Sequence, residues 1–323
     1  VCTDEEINDR VRQICAKFDD FVEPVFLADG NAAIEYVRYE LPEINLVNFS
    51  DSRIDALDFI TRVKSDPWLH YGGIIGVHRR KDQELAREAA QATNLVALLP
   101  RSRFVNGLYR VLRILSDNRQ ILFQRDLQTY LIRNLGGTFV MDNDPFDIET
   151  YSNIVTNYLF NSNYIDREGQ ERLHVALHEM LLNAVEHGNC GITYEEKTAW
   201  LEQNIGIMDL IRERNKNPEI RRKKVRFSYR ITPEQSGFTI EDEGKGFDWR
   251  TRLAKQKSEE NMGLHGRGMQ MTEHYVKDLS YNEKGNRVSF NIDHSRSSTS
   301  AIPAVLHEQT ERRVGRGEVV FTA

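Results

Sequence analysis

Leu177-His178-Glu179-Met180-Leu181-Leu182-Asn183-Ala184-Val185-Glu186-His187-Gly188-Asn189 decides the fold of the second half of this 323-residue chain. Leu173, Ala176, Leu177, Met180, Leu181, Ala184 and Val185 recur at helical spacing, so Glu179 and Asn183, four apart, share one stripe. A carboxylate and an amide therefore point the same way. Downstream, Gly237-Phe238-Thr239-Ile240 reads as a strand running into Glu241-Asp242-Glu243-Gly244-Lys245-Gly246-Phe247. That run sets an acid two residues ahead of a Gly-x-Gly, where backbone can turn and approach a ligand closely. Such an acid suits an exocyclic amine. A third run, Gly263-Leu264-His265-Gly266-Arg267-Gly268-Met269, offers glycines and backbone N–H groups just ahead of a helical stretch at 269–275. Phosphates are cradled in this way without side-chain bulk.

Glu-x-x-x-Asn, Asp-x-Gly-x-Gly and Gly-x-Gly, in that order, resemble the boxes of the GHKL ATPase superfamily, which includes gyrase, histidine kinases and the mismatch-repair ATPases. The resemblance implies an ATP-binding α/β sandwich with helices on one face of a mixed sheet. By the same resemblance Asn183 holds the magnesium that bridges the phosphates, Asp242 reads the adenine amine and Glu179 is the general base. Within the superfamily, Glu186-His187-Gly188-Asn189, Gly266-Arg267-Gly268-Met269 and Tyr281-Asn282-Glu283-Lys284-Gly285-Asn286 most resemble the anti-sigma-factor serine kinases. That resemblance implies that Asn183, His187, Asp242, Gly244, Gly246, Gly266, Arg267, Gly268 and Met269 hold ATP, with Ser289 as a hydroxyl behind the adenine. Between Cys190 and Lys224 the chain departs from those small kinases. An amphipathic helix around 198–211 and a basic run over 212–224 are inserted, and the run reads as a solvated face or a docking surface for an acidic partner. Arg252, Lys255 and Lys257 fall in the segment that closes over nucleotide in this superfamily.

The first 116 residues alternate helical patterns, at 6–18, 31–39, 55–63, 83–92 and 104–115, with the short apolar runs Phe26-Leu27, Leu46-Val47, Ile74-Ile75-Gly76-Val77 and Leu95-Val96-Ala97-Leu98-Leu99. Runs of that length suit buried parallel strands, and a doubly wound sheet follows. This half resembles a response-regulator receiver domain of flavodoxin-like fold, best around Pro42-Glu43-Ile44-Asn45-Leu46-Val47-Asn48-Phe49. Its working residues depart from that family. Asn48 stands where the resemblance puts the phosphoacceptor aspartate, Thr3-Asp4 replace the acidic pair, His78 takes the Thr/Ser position and Arg101 the lysine position. An amide is neither nucleophile nor anionic metal ligand, so a pseudo-receiver is expected, with Asp51 on the following loop.

From 104 to 135 the pattern stays helical, with 117–136 as a connector that Gly136-Gly137 ends. A homodimer through the receiver or this connector fits the layout. The ATP module is expected over 137–295, with strands at 138–141, 225–231, 237–241 and 288–292 and a helix at 147–160. Residues 296–323 read as a linker and tail, with Val314-Gly315-Arg316-Gly317-Glu318-Val319-Val320-Phe321 resembling the start of a cyclic-nucleotide-binding domain.

Composition is that of an ordinary soluble chain, 40% hydrophobic and 28% charged, with no apolar run near the roughly 20 residues of a bilayer span. A cytoplasmic protein without membrane contact is expected. Three widely spaced cysteines fit a reducing compartment, and a net charge of −6 argues against nucleic acid as the main partner. Two functions compete. One is an ATP- and magnesium-dependent serine/threonine kinase of partner-switching type, acting on an anti-anti-sigma-like or other regulatory protein. The other is a binding module in which ATP only shapes a surface that sequesters a regulator. An atypical histidine kinase would need His174 or His178 as its acceptor.

Overall fold

The computed structural model describes residues 1–66, 69, 72–90, 93–118, 134–193, 196–197, 199–200, 207–247, 249 and 275–294. The first three helices of the N-terminal half open on aspartates whose carboxylates accept from free backbone N–H groups of the first turn. Asp4 caps α1 (Glu5–Cys15), Asp29 caps α2 (Gly30–Glu40) and Asp55 caps α3 (Ala56–Ser65). Three strands, β1 (Ile44–Asn48), β2 (Gly73–His78) and β3 (Leu95–Pro100), pair in parallel in the order β1-β2-β3. β2 is buried at every position because both faces are covered. Residues of α1 and of α5 (Phe104–Asp117) pack with Ile75 and Val77, whereas α2, α3 and α4 (Gln83–Ala90) pack with Val47 and Ile74.

Phe26-Leu27 is not a ladder strand, contrary to the expectation. Val1 and Cys2 give it only two residues to pair with: Cys2 N donates to Leu27 O at 3.1 Å, and Val1 is in turn tied to β1 through Leu46 O and Asn48 N.

The C-terminal half begins with β4 (Leu135–Met141), α6 (Pro145–Asn161) and α7 (Arg167–Asn183). A π-helical turn (Ala184–Asn189), α8 (Ile207–Arg214) and the short α9 (Pro218–Arg222) precede β5 (Val225–Ile231), β6 (Gln235–Asp242), β7 (Lys277–Tyr281) and β8 (Arg287–Asp293). The strand order is β4-β5-β6-β8-β7 with every pairing antiparallel, where a mixed sheet was expected. Alternation sends Phe139, Phe227, Phe238 and Phe290 to one face, where successive rings lie 5.6, 6.1 and 5.3 Å apart. Leu135-Gly136-Gly137, expected to end a helix, instead begin β4 opposite Ile231, Arg230 and Tyr229. A Cβ on Gly137 would stand 2.6 Å from the Tyr229 hydroxyl, so this glycine makes room for a neighbouring ring rather than stopping a helix. The expected connector residues 119–133 and the tail 296–323 lie outside the described residues.

One core crosses the junction between the halves: buried side chains run from Ile14 and Leu108 through Tyr151 and Val155 to Phe238 and Phe290, while a second cluster around Ile34, Phe59 and Ile74 belongs to the N-terminal half alone. α6 is the joint. Its Asn153 and Asn157, one turn apart, donate to the β3 carbonyls of Val96 (3.2 Å) and Leu95 (2.9 Å), and Asn161 donates to Asn94 Oδ1 (3.0 Å). β3 is the last strand of its described sheet, and these amides occupy acceptors that a further strand would otherwise take. At the start of α6, Arg110 of α5 pairs with Asp144 and, at 2.6 Å, with the buried Asp147. Burial pushes the Asp147 carboxyl up to about 6 even so. Changing Asn153 and Asn157 together to alanine would strand two acceptors, at about 1–3 kcal/mol each. Urea unfolding should show a stability loss of that order, and an unchanged midpoint would show that the two halves do not depend on these bonds.

Candidate functional site

The site is built at the end of α7. Asp166 caps that helix by accepting from Gly169 N at 2.8 Å, and Leu173, Ala176, Leu177, Met180 and Leu181 bury one face. Glu179 and Asn183 stay half-buried on another stripe, as their spacing predicts. Immediately after Asn183 the helix widens into the π-helical turn, with Cys190 N donating to Val185 O at 2.9 Å. Two buried polar side chains hold that turn. Glu186, with no exposed surface, accepts from Lys197 Nζ at 3.0 Å. Asn189 donates to Asn143 Oδ1 at 2.7 Å and accepts from Glu243 N at 2.8 Å.

The turn meets the end of β6. A Cβ on Gly188 would stand 2.4 Å from Asp242 Cγ, and one on Gly244 would stand 2.2 Å from Gly188 O. Only two residues without side chains permit that contact. Asp242 is 8% exposed, and its Oδ1 accepts from Gly244 N at 2.7 Å. Burial pushes its carboxyl up to about 6, against the opposing pull of the Gly244 N–H, Lys284 and Lys223. Further along, Gly246 takes φ +76° with Lys284 O 1.9 Å from where a Cβ would be, and Gly285 takes φ +74° against Phe247 O. The Asp-x-Gly-x-Gly loop is thus pressed onto the 282–286 turn.

The structure brings together Asp242, Gly244 and the turn that follows Asn183. It does not bring in the others equally. Both ring nitrogens of His187 meet protein partners, Nδ1 at 2.6 Å from Ile192 O and Nε2 at 3.3 Å from Glu186 Oε1. Ser289 pairs with Thr239, their hydroxyls 3.0 Å apart, on the opposite face of the sheet from Phe238, Ile240 and Asp242. Val288, opposite Ile240, lies on the face of Phe238 and Asp242. Gly266, Arg267, Gly268 and Met269, like Arg252, Lys255 and Lys257, lie outside the described residues. His174 and His178 face neither the Asp242 loop nor a second helix of their own kind but Glu149 of α6, at 3.8 and 3.5 Å. His178 beside it holds the Glu149 carboxyl below its ordinary range against burial, while burial pushes His174 down.

Sequence reasoning missed the residues that tie the loop down. Asn286 Nδ2 donates to Asp242 O at 2.6 Å, and Lys223 Nζ donates to Asn189 O at 3.0 Å. The Lys224 backbone N–H donates to Glu243 Oε2 at 3.2 Å. The basic run is thus not wholly a solvated face: its last residues secure the acidic loop. Their adjacency to a strand start was the available signal.

Residues 212–292 match the family described as histidine kinase-like ATPase domain. No curated protein matches the chain. The matched stretch takes in Asp242, Gly244 and Gly246 and begins after Glu179 and Asn183. Residues 212–292 are thus similar to an ATPase domain of the GHKL type, a class whose members bind ATP with magnesium. The donor set fits such a nucleotide: a buried carboxylate at a strand end, and a glycine-to-glycine contact that side chains would fill. Among the described residues no helix is long and apolar enough to cross a membrane.

Gly188→Ala should weaken ATP binding at least tenfold without removing any charged group, because its methyl group would displace the Asp242 carboxylate. Calorimetric titration of ATP checks this, with circular dichroism to confirm folding. Undiminished affinity in the folded variant would remove Asp242 from the site.

Proposed function

We propose that the chain is an ATP-dependent protein serine/threonine kinase of the anti-sigma, partner-switching type. The observation that carries this reading is the Gly188–Asp242 contact. It seats the turn that continues the Glu179 and Asn183 helix on the strand end where Asp242 lies, although both residues precede the matched stretch. Asp242 accepts from the exocyclic amine of adenine. The amide oxygen of Asn183 is a hard donor and would hold magnesium, which supplies charge neutralisation on the phosphates. Glu179 takes the proton of a seryl or threonyl hydroxyl as the hydroxyl oxygen bonds to the γ-phosphorus, and the bond from that phosphorus to ADP breaks with its electron pair leaving on ADP. The substrate in this reading is an anti-anti-sigma-like or other regulatory protein, in the cytoplasm.

The N-terminal half is read as a receiver-like unit of flavodoxin-like order that takes no phosphoryl group. Three observations support this. The backbone neighbours run Leu27, Val1–Cys2, β1, β2, β3, the 2-1-3-4-5 order of that fold. Asn48 ends β1 with its Oδ1 taken by Ser50 N at 3.1 Å, and Arg101 is paired with Asp4 (2.5 Å) and Glu6 (2.9 Å). Asp51 accepts from Thr3 and from Arg53 N; burial would raise its carboxyl, and these bonds outweigh burial and hold it low.

Labelled ATP with the purified chain and a candidate partner tests the kinase reading: label should pass to the partner, and partner binding without label would replace the kinase by a nucleotide-dependent binding module. Asp242→Asn should weaken ATP binding, whereas Glu179→Ala should leave binding nearly intact and lower phosphotransfer by about 10²–10⁴, the usual worth of a general base. Equal loss of ATP affinity in both variants would contradict the separate roles. Acetyl phosphate should add no mass to a peptide spanning residues 44–53, and a single-phosphate shift there would restore Asp51 as an acceptor.

A further inference from the structure

Glu149 on α6 and His174 and His178 on α7 form a cluster that the kinase reading does not use. His174 and His178 are one helical turn apart and project along one stripe of α7, toward the helix packed beside it. His174 Nε2 lies 3.8 Å from Glu149 Oε1 and His178 Nδ1 lies 3.5 Å from Glu149 Oε2, and all three ligand atoms fall within 4.8 Å of one another. We propose that Glu149, His174 and His178 bind one late first-row divalent cation, of which zinc is the reference. This goes beyond the kinase reading and does not depend on it.

Geometry and donor chemistry agree. Ligands at about 2.0–2.2 Å from a tetrahedral zinc stand roughly 3.3–3.5 Å from one another. The two histidine-to-carboxylate separations are already close to that, and small rotations of long side chains close the remainder. His178 Nδ1 is buried and has no aligned hydrogen-bond partner, although a carboxylate oxygen lies 3.5 Å away. An imidazole and a carboxylate held only by their own hydrogen bond would close to about 2.7–2.9 Å. Two imidazoles and one carboxylate favour zinc, cobalt, nickel or copper over magnesium or calcium, which prefer oxygen alone. Side-chain exposure of 27% for each histidine and 44% for the glutamate leaves a solvent-facing side for a fourth ligand. The three cysteines of the chain are buried and are not part of the cluster.

Such an ion would join α6, which the N-terminal sheet grips through Asn153 and Asn157, to α7, whose next residue after His178 is Glu179. It would clamp the shared joint to the helix that carries the proposed base.

The test uses the full chain stripped by a chelator and titrated with cobalt(II), then with zinc(II). Visible bands of four- or five-coordinate cobalt should saturate at one equivalent per chain, without a sulfur charge-transfer band, and zinc should displace them and raise the melting temperature. Glu149→Gln, His174→Gln and His178→Asn should each weaken zinc binding more than about 100-fold, beyond the 10–100-fold that loss of a mere supporting partner costs. Circular dichroism of the metal-free variants confirms that they are folded, and any one folded variant suffices. Cobalt spectra that remain those of the hydrated ion, or stoichiometric binding that survives in a folded variant, would overturn the proposal.

Discussion

Asn153, Asn157 and Asn161, each one turn beyond the last, set the architecture because they make one helix serve two sheets. α6 is buried on nearly every side, and a helix in that position must satisfy its polar side chains within the protein or lose the free energy of desolvating them. Its asparagine stripe takes up acceptors along β3, while Tyr151 on another stripe packs at 4.8 Å against Phe139 of the antiparallel sheet. Hydrogen bonds fix the register of the first contact and apolar area supplies the affinity of the second. The N-terminal half consequently gives one face of its sheet to the common core and keeps a core of its own on the other. α6 in turn packs directly on α7.

Much of this was legible in the sequence where one side of an element faces water. α1, α2, α3 and α5 lie within a few residues of their expected spans because apolar periodicity marks them. β5, β6 and β8 followed from alternation. The failures share a cause, which is contact with a distant segment. Gly136-Gly137 looked like a helix stop because nothing local says that Tyr229 crosses above Gly137. β7 was missed altogether: Lys277-Asp278-Leu279-Ser280-Tyr281 is polar, lies at the edge of its sheet and has a register shift, so it lacks the apolar alternation of a half-buried strand. Of the candidate site, Glu179, Asn183 and Asp242 could be read from spacing. That Gly188 touches Asp242 could not.

The π-helical turn explains why the basic run has to be where it is. Widening the helix after Asn183 swings Glu186 and Asn189 inward, and both are fully polar side chains in the core. Lys197 answers the first and Asn143 and Glu243 N answer the second, while Lys223 donates to the backbone carbonyl of Asn189. Lys197 and Lys223 come from the two ends of the segment between the π-helical turn and β5. The insertion therefore has a structural duty at the Asp242 loop, whatever its outer surface meets.

Asp242 gathers these constraints into a single energetic consequence. Its folded carboxyl is pushed up to about 6 from an ordinary 3.8, so the folded chain holds that proton more tightly than the unfolded one. The sign follows: stability from this group is present below about pH 4 and is lost as pH rises through about 6. At neutral pH the folded chain carries an ionised, poorly solvated carboxylate that Gly244 N only partly satisfies. A ligand that donates to it restores hydrogen bonding which burial has removed, and does so without moving backbone already fixed by Gly188, Asn189 and Asn286. In the proposed reading, that poorly solvated charge favours a donor such as an exocyclic amine over a base that presents an acceptor in its place.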